Sequence, residues 1–303
     1  MSSLITLIMI LTPLFIGLFI RLPKAALVWV DKGIGWLVYI ILSLIGISLS
    51  QVHNIGREVG FIAAAAGLLF ICVIGLNVVV LMWFDRKHPW GHAAHGNGRK
   101  ASVSITGSIK QISCVLAGWL LGRLLAQTWL PPESTNTYIL MLLVGLVGIQ
   151  LGSSGVTLRQ IMLNRRGVET SILITISALL GGILFSLLMP GVSLSKGLAL
   201  ASGFGWYSLS GIVMTNAYGP VWGSVALAND LAREFFALVF IPLLMRRHPS
   251  AAVGVGGATS LDFTLPVIQS SGGLDVVPLA ICFGFVINVL SPFLMVIFSS
   301  AGF

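Results

Sequence analysis

Charge is scarce in this 303-residue chain. Nine acids and 17 lysines and arginines make up only 9% of it, where a soluble domain carries roughly 25%. That deficit, with 56% hydrophobic residues and a mean hydropathy of +1.01, excludes a soluble fold. Cysteine is equally sparse. Cys72, Cys114 and Cys282 all lie in apolar runs without CxxC spacing, so neither a disulfide framework nor thiol redox or metal chemistry is expected. The five histidines lie in joints between apolar runs. His88, His92 and His95 crowd HPWGHAAHG, but only Asp85 stands near them as a further ligand, and no metal or cofactor is expected there.

What the chain has instead is apolar runs of about 20 residues, each long enough to cross about 30 Å of hydrocarbon as a helix. They fall near 4–20, 33–50, 59–84, 109–130, 136–152 and 168–190, with helices near 220–245 and 276–300 later on. The fold class is an all-α integral membrane protein embedded in the lipid bilayer, a single transport domain over 1–303. Its first helical half is 1–152 and its second half 168–303. The first run lacks a basic leader and a cleavage site, and reads as a retained span.

Although the net charge is +8, the bases stand at the ends of apolar runs and not on one face, which points to topology and not to nucleic acid. Arg86, Lys87, Arg99, Lys100 and Lys110 share one joint, and Arg159, Arg165 and Arg166 another. The alternating joints hold only Arg57 and Lys196. The basic joints are expected on the cytoplasmic side and both termini outside.

Two apolar segments are interrupted. SGFGWYSLSG, residues 202–211, breaks the run 197–218, and GVGGATSLDFTLP, residues 254–266, breaks the run 251–272. Glycine and serine weaken a helix and leave polar groups at mid-depth. If Arg246 and Arg247 are cytoplasmic, each broken segment must leave on the side it entered. The preferred arrangement is therefore eight crossings plus two re-entrant hairpins meeting near the midplane, and the alternative is ten crossings in two inverted sets of five. Either way, broken helices mark the expected site.

A charge at the bilayer centre costs about 2.5 to 3.5 kcal/mol on insertion scales, so each one there needs a partner, a proton or a function. Asp31, Glu58, Asp85, Glu133, Glu169 and Asp275 fall at or near the ends of apolar runs, which leaves Asp230, Glu234 and Asp262. In NDLARE, residues 229–234, Asp230 and Glu234 share a helical face, and Arg233 stands three residues from Asp230. A pair between Asp230 and Arg233 accounts for one acid; Glu234 is then left over and is read as functional. Asp262 has no base nearby in sequence and is flanked by Thr259, Ser260 and Thr264. A carboxylate that alternates between a proton and a bound cation suits proton-coupled cation export. Tyr207, Ser208 and Ser210 can orient a ligand or simply pack helices, while Gln150, Asn77 and Asn288 read as interhelical amides.

GFGWYSLSG (203–211), NDLARE, GATSLDFTLP (257–266) and GGLDVVP (272–278), read together with LVGIQL (146–151) and LNRRG (163–167), resemble the bacterial lysine exporter family often called LysO. The likeness spans nearly the whole chain and is loosest over the joint 85–108. It implies export of L-lysine and analogues such as thialysine across the bacterial inner membrane, driven by protons. It also implies that the acids at Glu234 and Asp262 are required. Asn229, Asp230, Arg233, Thr259, Ser260, Tyr207, Ser208 and Ser210 complete the expected substrate- and proton-binding set. A sodium/proton antiporter is the alternative reading. An intramembrane serine hydrolase on Ser208 or Ser210 is excluded by the lack of a histidine or lysine in the membrane core.

Overall fold

A polypeptide in hydrocarbon must satisfy its own backbone hydrogen bonds, and this chain does so with helices. The computed structural model describes residues 12–51, 55–90, 106–124, 132–153 and 164–300, and these contain no β-strand. A helical stretch at 12–19 is followed by α1 (Lys24–Ser50), α2 (Ile55–Lys87), α3 (Thr106–Leu124), α4 (Glu133–Ser153) and α5 (Arg165–Leu188). Next come α6 (Leu194–Ala201), α7 (Tyr207–Tyr218), α8 (Pro220–Met245), α9 (Pro249–Gly256), α10 (Leu265–Gly272) and α11 (Val277–Ser300). Short 3-10 turns at Gly257–Leu261 and Leu274–Val276 flank α10.

By length and apolarity alone, Ala25–Ser50, Glu58–Lys87, Arg165–Leu188 and Leu274–Ser300 can each cross a membrane. Helix α8 has the length at 26 residues, but it carries Asp230, Arg233 and Glu234 within. Residues 4–11 and 125–130 of the expected spans lie outside the described residues.

Close packing comes from small residues, as expected where helices gain little from hydrophobic burial against one another. A Cβ on Gly118 or Gly46 of the α1–α3 contact would collide with backbone carbonyl oxygens of the facing helix, those of Ser43 and Val115. Gly181 meets α2 in the same way, and a Cβ added to it would stand 2.7 Å from Val73 Cα.

Each broken segment doubles back. Lys196 Nζ, at the start of α6, lies 4.9 Å over the Tyr218 ring at the end of α7 and 4.6 Å over the Trp222 ring. Residues 194–218 therefore begin and end together, forming the first hairpin. In the second hairpin, 249–272, α9 starts just after Met245, and Gly272 returns so close that a Cβ there would stand 2.8 Å from the Met245 sulfur. Arg166, at the start of α5, donates to Ser250 Oγ (2.9 Å), while Gly182 near the end of α5 packs on Gly197 of α6. The two hairpins thus enter from opposite ends of α5, as the re-entrant reading of both broken segments expects.

Their tips meet in the interior. Ala258 N–H donates to Phe204 O at 2.9 Å, Asn288 Nδ2 donates to Ala258 O at 2.8 Å, and Ser291 Oγ donates to Ser202 O at 2.8 Å. Glycine is required at the crossing: Gly257 has φ +60°, and a Cβ on it would collide with Phe204 O.

One boundary departs from expectation. Helix α1 begins at Lys24 and not near 33, so Asp31 and Lys32 lie within it. Lys32 tolerates the position by laying its ammonium 4.9 Å over the Trp29 ring, and Asp31 turns inward.

Candidate functional site

Helix α8 is the axis of the site, because its one charged turn reaches both hairpins. Asp230 accepts from Ser210 Oγ (2.5 Å), from Asn229 Nδ2 (3.0 Å) and from Gly205 N–H (3.3 Å), which holds the tip of the first hairpin. Arg233 donates to Gly254 O (2.8 Å) and Val255 O (3.1 Å), the last carbonyls of α9 in the second hairpin. Gly254 O also accepts the Gly257 N–H that caps the helix, and a cation at a helix C-terminus is favoured by the dipole. The expected direct pair between Asp230 and Arg233 is therefore not how the turn is built. Close ion pairs form instead at Arg165–Glu169 and Arg166–Asp85, away from this turn. Asp230 and Arg233 are buried at 1% and 2% exposure, and their polar atoms are turned to the hairpin tips.

Glu234, next along the helix, faces a cavity of about 360 Å³ that opens between α1, α4, α8 and the two tips. Of the sequence-predicted residues, Glu234, Asp262, Tyr207, Ser208 and Thr259 line it. Asn229, Asp230, Arg233, Ser210 and Ser260 do not. Ser210 is turned to Asp230, and Ser260 Oγ donates to Val253 O (2.7 Å), tying the second tip to α9. Asn229 gives its amide to Asp230, and its own Oδ1 is buried without a hydrogen-bond partner.

Asp262 sits in the turn between the 3-10 segment and α10. Its Oδ1 accepts the Phe263 N–H (2.5 Å), and the side chain is exposed to the cavity despite its depth in the fold. Tyr207 and Ser208 form the first turn of α7, whose N-cap residue Trp206 supplies no side-chain cap. That turn presents backbone N–H groups and the positive end of a helix dipole to the same space.

Sequence reasoning missed Asp31, Tyr39 and the lining role of Gln150 and Asn288. In sequence Asp31 reads as a residue at the end of an apolar run, but α1 carries it into the wall, where Gln150 Nε2 donates to its Oδ1 at 2.9 Å. The available signal was the spacing: Asp31, Gly35 and Tyr39 stand four apart on one helical face. Asn77 behaves as an interhelical amide, as expected, accepting from Ser177 Oγ at 2.7 Å.

Among the described residues, the lining of the cavity thus includes three carboxylates, Asp31, Glu234 and Asp262, and no lysine, arginine or histidine. A water-accessible space of that sign inside an apolar body attracts cations strongly, because little solvent screens the field. Among the described residues no three His, Cys, Asp or Glu side chains converge closely enough to hold a metal ion.

Comparison with known proteins bears on what passes through this space. The family described as lysine exporter LysO matches residues 112–299, which include α7, α8 and both hairpin tips. The lysine exporter LysO of Escherichia coli is 40% identical over 296 residues, covering 97% of this chain and 99% of that protein. The chain belongs to the lysine exporter LysO family. A Haemophilus influenzae protein, whose name marks it as a provisional lysine exporter, is 48% identical over 192 residues, 62% of this chain and 96% of its own length. No solved structure matches the chain. All ten residues expected from the sequence to form the site lie within the stretch that this family covers.

Proposed function

We propose that this protein exports L-lysine, and lysine analogues such as thialysine, from the cytoplasm across the bacterial inner membrane in exchange for protons. The observation that carries the reading is the cavity whose described lining holds three carboxylates and no base, set between two crossed hairpins. Membership of the lysine exporter family and the names of its relatives support lysine as the cargo. The volume does too, since about 360 Å³ is far more than a bare cation fills and lies in the range of small-molecule sites.

In this mechanism lysine enters from the cytoplasm and its ammonium groups pair with Glu234 and Asp262. Its carboxylate meets the first turn of α7 at Tyr207 and Ser208, where backbone N–H groups and the helix dipole favour an anion. Thr259 contributes a hydroxyl at the wall. Protons arriving from outside neutralise the two acids and cancel the attraction, so that cargo leaves outward. The protons then depart to the cytoplasm as the carrier resets. Asp230, Arg233, Asn229, Ser210 and Ser260 act through position, by holding the tips in register around the acids.

The basic ends of α2 and α5, at Arg86, Lys87, Arg165 and Arg166, support a cytoplasmic face there and termini on the periplasmic side. The chain 1–303 acts as one transport unit, with 1–152 as the packing partner of the half, 168–303, that carries the hairpins. Counterflow in proteoliposomes tests the cargo. Internal unlabelled lysine is expected to drive uptake of labelled lysine, and internal sodium is expected to drive none of labelled sodium.

A further inference from the structure

The cavity does not stop at Asp262. A second space of about 270 Å³ continues it, sharing Asp31, Gln150, Leu151, Leu261 and Asp262, and reaching Leu27 and Ile281. Leu27 lies in the first turn of α1 and Ile281 in the second turn of α11. Cys282, next to Ile281, packs against Gly167 at the start of α5, which places this mouth at the end of the molecule where the second hairpin is rooted. On the topology proposed above, that end is cytoplasmic. The route from the mouth to Glu234 passes between two carboxylates on different supports: Asp31 on α1, and Asp262 on the tip of the second hairpin.

Asp31 is built to stay in place. Gln150 of α4 donates to Oδ1 at 2.9 Å, so the carboxylate is oriented by an amide with no charge to offset its own. Its side chain is exposed to the cavity, and among the described residues that line the two spaces none is basic. Both carboxylates line both spaces, so cationic cargo entering from the mouth meets Asp31 together with Asp262.

We infer that Asp31, oriented by Gln150, is the cytoplasmic-side subsite that binds the side-chain ammonium of the cargo and hands it to Asp262. The inference rests on the export reading above and adds a residue outside the hairpins and outside NDLARE. Because Asp31 belongs to α1 and Asp262 to the second hairpin, cargo bridging the two is bound only while those elements face each other. Asp31 therefore governs capture from the cytoplasm and not the steps that follow.

The test is uptake of labelled lysine by everted membrane vesicles, in which the cytoplasmic face is outermost, for wild type, Asp31→Asn and Asp31→Glu. Asp31→Asn is expected to raise the KM about tenfold with kcat held within about twofold, and Asp31→Glu to recover most of the lost affinity. A KM unchanged in Asp31→Asn, or a fall in kcat alone, overturns the assignment while leaving the export reading intact. Wild-type vesicles that take up no lysine overturn both. A second measurement keeps Asp31 native: Leu27→Cys, in a background free of the other three cysteines, reacts with a cationic thiol reagent from the cytoplasmic face. Saturating lysine is expected to slow that reaction several-fold, and an unchanged rate contradicts cargo at this junction.

Discussion

Asp230 and Arg233, three residues apart on α8, hold opposite hairpins: Asp230 takes the Gly205 N–H and the Ser210 hydroxyl, while Arg233 takes the Gly254 and Val255 carbonyls. One helical turn thereby sets the register of both tips, and Glu234 is delivered to the cavity as the next residue.

Removal of the guanidinium leaves two helix-end carbonyls and a carboxylate buried without it. Arg233→Met is expected to destabilise the protein by on the order of 3 kcal/mol, since stripping one member from a buried charged network typically costs that much. Thermal unfolding in detergent, followed by size-exclusion chromatography, measures it; a melting temperature equal to wild type contradicts the clasp.

The tips leave no room at their crossing. Gly257→Ala places a Cβ against Phe204 O at a φ of +60°, so it adds left-handed strain of about 1–2 kcal/mol to a steric clash. Gly75, in α2, is the control: an added methyl group there would meet nothing within 4 Å, and Gly75→Ala is expected to be neutral or slightly stabilising. Transport and melting temperature should both fall for Gly257→Ala alone.

At the root of the second hairpin, Asp85 is 3% exposed, accepts from Arg166 Nη2 at 2.6 Å, and also accepts the Ala251 N–H at 3.1 Å. Arg166 is further covered by the Trp90 and Phe84 rings. Asp85→Ala strands that arginine and uncaps the start of α9, so a loss of about 3 kcal/mol is expected. The solvent-exposed pair Arg165–Glu169 is the contrast, and Arg165→Ala is expected to leave the melting temperature unchanged.

Opposed hairpins make a prediction about access. In a background free of the native cysteines, Leu194→Cys at the root of the first hairpin and Arg247→Cys near the root of the second should react with an impermeant thiol reagent from opposite faces. Arg247→Cys is expected to label only from the cytoplasm. Labelling of both from one face contradicts the fold.

Much of this was legible in the sequence, and the reasons differ from residue to residue. Glu234 and Asp262 stand out because burying charge is costly, a rule that needs no coordinates. The hairpins follow from glycine and serine within otherwise apolar runs, combined with the placement of Arg246 and Arg247. The clasp was not legible, because spacing shows that Asp230 and Arg233 are neighbours and cannot show that backbone groups of two distant hairpins will claim them. Asp31 was hidden by its own charge: with Lys32 beside it, the run reads as beginning near residue 33. Only the helix extended back to Lys24 turns the carboxylate into the cavity.

The central claim is that the carboxylates lining the cavity carry the cargo cation and the proton alternately. Efflux of labelled lysine from proteoliposomes under an inward proton gradient tests it most directly, with wild type compared against Asp262→Asn. Wild type is expected to release lysine with saturable kinetics and to take up protons in step. The Asn variant is expected to lose efflux by about 100-fold or more, a barrier increase of about 2.7 kcal/mol, with its melting temperature intact. Full proton-driven efflux by Asp262→Asn would contradict the account.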